Sequence, residues 1–229
     1  MNGQEVAVIG TPSCASYGPS SVLCTIRGQD NALYATSFEN ASWSSFQRLE
    51  GGIFGSDPSC AGIGSPKVLC GITGLDGGTY LSRFENGGPV EFSTGVNFES
   101  LGGIAISAPS CKSIPTPGVD QDFLCAIVGQ DNALYVTESP EGWQRLDGLL
   151  TTTEPSCTSG SSLTSGDVLC AARGQNSALY VNFRPADLEN IPLNWSGFQN
   201  LDQDEDTIEN EVVVSSSPSC VRIAPQEAL

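Results

Sequence analysis

The sequence has no histidine, a single methionine, and only nine basic residues among 229, of which Lys67 and Lys112 are the lysines. Each shortage closes off a class of function. Without histidine there is no Ser-His-Asp triad and no Cys-His pair. Nine Lys and Arg against 26 Asp and Glu leave a net charge of −17. That balance argues against nucleic acid, whose phosphates need Lys and Arg, and against an anionic membrane surface. No apolar run approaches the ~18 residues of a membrane span, so no membrane insertion is expected. Met1 to Thr11 lack the basic start and long apolar stretch of a signal peptide. No cofactor is expected.

What the sequence does have is glycine (26), proline (14) and cysteine (nine). Gly and Pro in that measure suit many short strands joined by turns. The cysteines form four local couples: Cys14 with Cys24, Cys60 with Cys70, Cys111 with Cys125, and Cys157 with Cys170. Cys220 is left unpaired. Zinc would want closer spacings such as CxxC, often with histidine. Disulfides are the stronger reading, and they imply an oxidising compartment and a secreted or extracellular protein. The sequons at Asn40 and Asn194 are compatible with that.

The couples belong to a repeat. Pro-Ser-Cys returns at Cys14, Cys60, Cys111, Cys157 and Cys220, at intervals of 46, 51, 46 and 63 residues. Each of the first four is followed by an apolar strand carrying the second cysteine, then a Gly-led turn, then Tyr34, Tyr80, Tyr135 or Tyr180, and finally a segment ending in Leu49, Leu101, Leu146 or Leu201. In the first unit Val22, Cys24 and Ile26 share one strand face, and Leu23 and Thr25 share the other. Gly28-Gln29-Asp30-Asn31 supplies the hairpin turn, since Gly, Asp and Asn tolerate positive φ. Ala32 to Phe38 reads as the third strand and Trp43 to Leu49 as the fourth.

Four strands per unit of about 46 residues predict an all-β fold, a β-propeller of four blades of four antiparallel strands with in-blade disulfides. The expected blades are 12–57, 58–108, 109–154 and 155–217, with 1–11 and 218–229 at the ring closure. Each couple closes a loop of 11 to 15 residues, which chain entropy alone values at about 3 kcal/mol.

Arg27 to Tyr34, repeated from Gly129 to Tyr135 and followed by a Trp- or Phe-bearing strand, a Leu, Gly-Gly and Ser-x-Pro, resembles the blade of the PLL-type β-propeller lectins. It is similar also to fungal propeller lectins. The resemblance runs over nearly the whole chain. It implies a sugar-binding ring holding fucose, N-acetylglucosamine or related sugars between adjacent blades. The chain departs from that pattern in its four blades, its paired cysteines, and Leu75-Asp76-Gly77 in place of Gln-Asp-Asn.

A sugar site needs an aromatic face and forked polar groups. Trp43 and Trp195 hold matching places in the first and fourth units, and Trp143 takes the place of Phe46 in the third. Arg48 matches Arg145, and Arg27 matches Arg173. These seven residues are the candidate carbohydrate contacts. The competing assignment is packing for the aromatics and charge neutralisation for the arginines. The recurrent tyrosines read as core residues. Asp202 to Asp206 reads as a solvated acidic excursion rather than a calcium loop, lacking the glycine and closing Glu of an EF-hand.

The reading is therefore a multivalent lectin with glycan partners and no catalysis. The alternatives are a protein-binding scaffold and, third, a glycosidase. One puzzle concerns the ends. Glu5-Val6-Ala7-Val8 precedes the first Pro-Ser-Cys, and Glu211-Val212-Val213-Val214 precedes the last, which is one copy more than four blades need. An odd cysteine at such a seam suggests either a free thiol or a bond between chains; the reading is a homodimer joined through the Cys220 region, with a larger ring shared by two chains as the rival geometry.

Overall fold

The computed structural model describes residues 7–90, 96–114, 123–138, 142–159, 167–185, 194–201 and 214–220. The acidic run Asp202 to Asp206 lies outside them. Four antiparallel sheets follow one another along the chain. The first holds β1 (Val8–Gly18), β2 (Ser21–Gly28) and β3 (Leu33–Glu39), with β4 (Ser42–Trp43) and β5 (Gln47–Arg48) both pairing to β3. The fourth strand expected from Trp43 to Leu49 is thus split: Ser44 bonds back to Thr36 and Ser37, and the ladder breaks between the two short pieces. The second sheet has β6 (Ser59–Gly62), β7 (Lys67–Thr73) and β8 (Thr79–Glu85), with its fourth position again divided, into β9 (Gly88–Pro89) and β10 (Glu99–Gly102). The third runs β11 (Ser110–Ser113), β12 (Phe123–Val128), β13 (Leu134–Glu138) and β14 (Gln144–Leu146). The fourth runs β15 (Ser156–Ser159), β16 (Val168–Arg173), β17 (Leu179–Arg184) and β18 (Gln199–Asn200). This is the β-propeller of four-stranded blades.

The cysteine couples face each other directly across the first and second strands of each blade, and all four form disulfides. Cys220 is a free thiol. The inner strands lie side by side, β1 against β6, β6 against β11, and β11 against β15. The second strands of the two middle blades are apolar on both faces because each is covered on both sides; all six residues of β12 are buried. The core is accordingly three clusters, one per blade junction. Leu23, Leu33 and Leu49 meet Val68, Ile72 and Phe84 between the first two blades. Leu69 and Leu81 meet Phe123 and Cys125 between the second and third. Leu124, Leu134 and Leu146 meet Val168 and Ala172 between the third and fourth.

The serine of Pro-Ser-Cys, to which the sequence assigned no task, stitches the blades together. Its Oγ accepts the amide N–H of the next unit's cysteine: Ser13 from Cys60, Ser59 from Cys111, Ser110 from Cys157 and Ser156 from Cys220, all at 2.9–3.0 Å. The terminal copies of the linker sit at the two ends of the row. Ala7 accepts an N–H from Gln29 on the first hairpin, and Val214 donates to Ser177 on the fourth.

Candidate functional site

The hairpin joining the second and third strands shapes one rim of each blade. Asn31, Asn132 and Ser177 take positive φ near 60°, and Gly77 does so in the second blade. The carboxylate one residue earlier closes the turn, Asp30 Oδ1 accepting from Ala32 N–H and Asp131 Oδ1 from Ala133 N–H. Its other oxygen accepts the tyrosine hydroxyl: Tyr34 to Asp30 at 3.0 Å, Tyr80 to Asp76 at 2.6 Å, Tyr135 to Asp131 at 3.2 Å. In the fourth blade Asn176 donates to Tyr180 instead, at 3.1 Å. The tyrosines are half-buried rim residues, not core. Each ring lies over the glycine that opens the turn, and a Cβ on Gly28, Gly74, Gly129 or Gly174 would meet it at 2.4–2.8 Å. Glycine is required there by that close approach.

Between blades the linker straps successive hairpins. Phe54 N–H donates to Asn31 O of the first blade while Ile53 O accepts from Leu75 N–H of the second. Leu150 and Leu149 do the same between the third and fourth, with Asn132 O and Gln175 N–H. This strap leaves Ile53, Ile104 and Leu149 exposed at matched places on the rim. Among the described residues, two junctions hold open pockets. One, of about 330 Å³, lies between Gly51–Phe54 and Leu75, Asp76 and Tyr80. Its counterpart, of about 540 Å³, has Arg145, Asp147 and Leu149 on one wall and Asn176, Tyr180 and Phe198 on the other. At the middle junction the indole of Trp143 lies against Gly103 and donates to the carbonyls of Leu101 and Gly102, both at 3.1 Å.

The candidate residues therefore divide into three groups. Arg48 and Arg145 stand at the junction rim in matched networks. Arg145 reaches Asp131 at 2.8 Å and Asp147 at 2.7 Å, and Arg48 reaches Asp30 at 3.2 Å and Glu50 at 2.9 Å. The Arg145 guanidinium, then the Ala133 amide and Tyr135 hydroxyl, hold the Asp131 carboxyl below the usual carboxylate range. Trp143 shares this rim. Trp43 and Trp195 belong to the opposite rim. Trp43 packs on Phe38 at the far end of β3, with centroids 5.2 Å apart. Trp195 lies 6.0 Å from the guanidinium of Arg184, which is buried and paired with Glu138. Arg27 and Arg173 end second strands nearer the centre. Arg173 bonds Ser177 Oγ, and Arg27 pairs with Asp57 at 3.5 Å on the wall of a central cavity of about 540 Å³.

That cavity gathers the residues preceding the last four Pro-Ser-Cys motifs, Asp57, Ala108, Glu154 and Ser217. Burial, then the charge of Asp57, raises the pKa of Glu154. The sequence reading passed over Glu154, Ile53, Leu149 and Asn176. Only their recurrence at matched repeat positions signals them. Among the described residues no cluster of three metal-ligating side chains occurs.

No protein-family profile matches the chain, and no curated protein does. Solved structures do. AofleA from Arthrobotrys oligospora superposes with a TM-score of 0.64 at 14% identity, over 83% of this chain and 56% of its own. The SapL1 lectin in complex with α-methyl fucoside gives 0.60 at 14%, over 85% and 63%. The six-bladed fungal lectin of Aleuria aurantia, described with a novel fucose recognition mode, gives 0.58 at 10%, over 91% and 66%. A Hadza microbial sialidase follows at 0.50 and 11%, over 80% and 45%. The chain spans less than two thirds of the length of each of these proteins. At these identities the likeness fixes the fold: it is the β-propeller that fungal lectins use.

Proposed function

We propose that the chain is a carbohydrate-binding lectin whose sites are the pockets between adjacent blades, with no catalysis. The observation that carries this is the matched chemistry of the two open junctions. Each offers an aliphatic side chain (Ile53 or Leu149), an aromatic ring (Tyr80 or Tyr180) and a carboxylate or amide (Asp76 or Asn176). An apolar wall beside a fork of polar groups is what a sugar ring presents for recognition in reverse. At the larger pocket, Arg145 adds donors and Phe198 adds a second ring. Fucose or a related sugar fits this mixture, since its methyl group suits the Leu149–Phe198 wall, and α-methyl fucoside is the ligand of the similar SapL1 lectin. Repeated sites on one rigid frame raise avidity on a glycan-coated surface. Four disulfides accord with an extracellular place of action.

The test is calorimetric titration with α-methyl fucoside, after a glycan array has ranked sugars. Arg145→Ala should weaken binding roughly 10-fold or more, in line with about 1.5–3 kcal/mol for hydrogen bonds involving charged groups, and Asn176→Ala roughly 5-fold, in line with about 1 kcal/mol for a neutral one. Trp43→Ala, on the opposite rim, should leave affinity unchanged. Binding that vanishes with Trp43→Ala and survives Arg145→Ala would move the site to the other rim. A chain that binds no glycan on the array leaves the protein-scaffold reading.

A further inference from the structure

Of the two acceptor motifs for N-linked sugar, the first stands at the tip of a hairpin. Glu39 pairs with Ser42 and Phe38 with Trp43, so Asn40 and Ala41 are the two central residues of the turn between β3 and β4. Both take positive φ, 50° and 59°, as in a type I′ turn. Asn40, Ala41, Ser42 and Trp43 are all exposed. The equivalent turn of the second blade is Asn86-Gly87-Gly88, with φ of 52° and 76° at its centre. There a Cβ on Gly87 would meet the hydroxyl of Tyr17 in the first blade at 2.6 Å. Ala41 carries backbone strain that a glycine would avoid, and of these two tips only the first reads Asn-x-Ser.

Beside that tip lies an aromatic surface open to solvent. Trp43 is 54% exposed, and its ring packs on Phe38 with centroids 5.2 Å apart. A directly opposed pair shares one face of the hairpin, so the two rings form one patch. It begins two residues from Asn40, about 7 Å along a strand, within reach of the first sugar joined to that asparagine. The flat apolar side of a pyranose is a surface that an exposed indole covers. Trp143 and Trp195 are both half-buried. The second motif, Asn194-Trp195-Ser196, stands on the same rim, but its indole lies 6.0 Å from the Arg184 guanidinium.

We infer that Asn40 carries an N-linked glycan whose first N-acetylglucosamine lies over Trp43 and Phe38. The four disulfides form in an oxidising compartment, and there the donor is an oligosaccharide on a polyprenyl pyrophosphate. Asn40 Nδ2 bonds to the anomeric carbon of the first sugar and gives up one proton. The bond from that carbon to the pyrophosphate oxygen breaks, the lipid pyrophosphate leaves, and nothing is oxidised or reduced. Ser42 completes the acceptor motif. The glycan covers the exposed indole and stands on the rim opposite the junction pockets, which it leaves open.

The test uses the chain secreted from a eukaryotic host and digested to peptides. The peptide holding Asn40 should carry a glycan built on N-acetylglucosamine, and peptide-N-glycosidase should remove it and leave aspartate at that position. Ser42→Ala leaves the turn residues in place and should lose the modification, whereas Ser42→Thr should keep it. The indole has its own readout. Acrylamide should quench tryptophan fluorescence less in the parent than in Ser42→Ala, with matching far-ultraviolet circular dichroism. That difference should vanish when both proteins also carry Trp43→Phe. Sugar at Asn194 is common to the proteins compared and cancels. An unmodified Asn40 peptide in the secreted parent overturns the inference. A glycan at Asn40 with equal quenching in the parent and Ser42→Ala overturns the place given to Trp43.

Discussion

Single residues in this molecule carry charge-state information that the repeat alone conceals. Asp30, Asp76 and Asp131 sit at equivalent hairpin tips and have their carboxyls held low by hydroxyl and amide donors, joined by a guanidinium at Asp30 and Asp131. Glu154 is displaced the other way, by burial and the nearby charge of Asp57. A carboxyl whose folded pKa lies above its unfolded value binds more protons in the folded state. Its favourable contribution is complete below the unfolded pKa and is lost as pH rises through the folded one. Glu154→Gln should therefore remove part of the stability decline of the parent as pH climbs out of the ordinary carboxylate range. Above that range the variant should be the more stable of the two in urea, and in acid the two should match. Added salt should narrow the gap, since the cavity is open to solvent. Parallel stability–pH curves for the two proteins would remove Glu154 from this role.

At the scale of the element, the disulfides are alike in sequence and unlike in surroundings. Each closes a loop of similar length, and chain entropy assigns each about 3 kcal/mol. Cys111 and Cys125, however, are fully buried in the junction of the second and third blades, and a Cβ on Gly71 would come within 2.4 Å of the Cys111 sulfur. Replacing that pair with alanine loses the loop constraint and also leaves a void in a packed core. Replacing Cys14 and Cys24 loses little beyond the constraint. Urea midpoints should fall further for Cys111→Ala/Cys125→Ala than for Cys14→Ala/Cys24→Ala; equal falls, or the reverse order, would contradict the packing account. The blades, their turns and their staples were legible because each is a local pattern repeated four times. What was not legible depends on distant partners. Ser59 finds Cys111 across 52 residues, and no local pattern in Pro-Ser-Cys announces it. Trp43 and Trp143 were both candidate sugar contacts, yet the break in the ladder at Ser44 puts them on opposite rims. The pocket walls use Leu149 and Asn176, residues whose side chains signal nothing until the strap between hairpins brings them together.

Over the whole molecule, stability is distributed by junction. The described core is three clusters, each shared by two blades. Among the described residues, the second and third blades are packed on both faces, and the first and fourth chiefly on one, with Val214 and Cys220 also meeting the fourth. In a row of repeats, each unit draws stability from its neighbours, so the end units open first. Amide hydrogen exchange should therefore be slowest in β7 and β12, which are buried from Val68 and from Phe123 onward, and faster in β2 and β16. The β2 amides are the sharper probe, because Val22, Cys24 and Ile26 are half-buried where Val68, Cys70 and Ile72 are fully covered. Uniform protection of all four blades at low concentration would mean that the end faces are already covered within one chain.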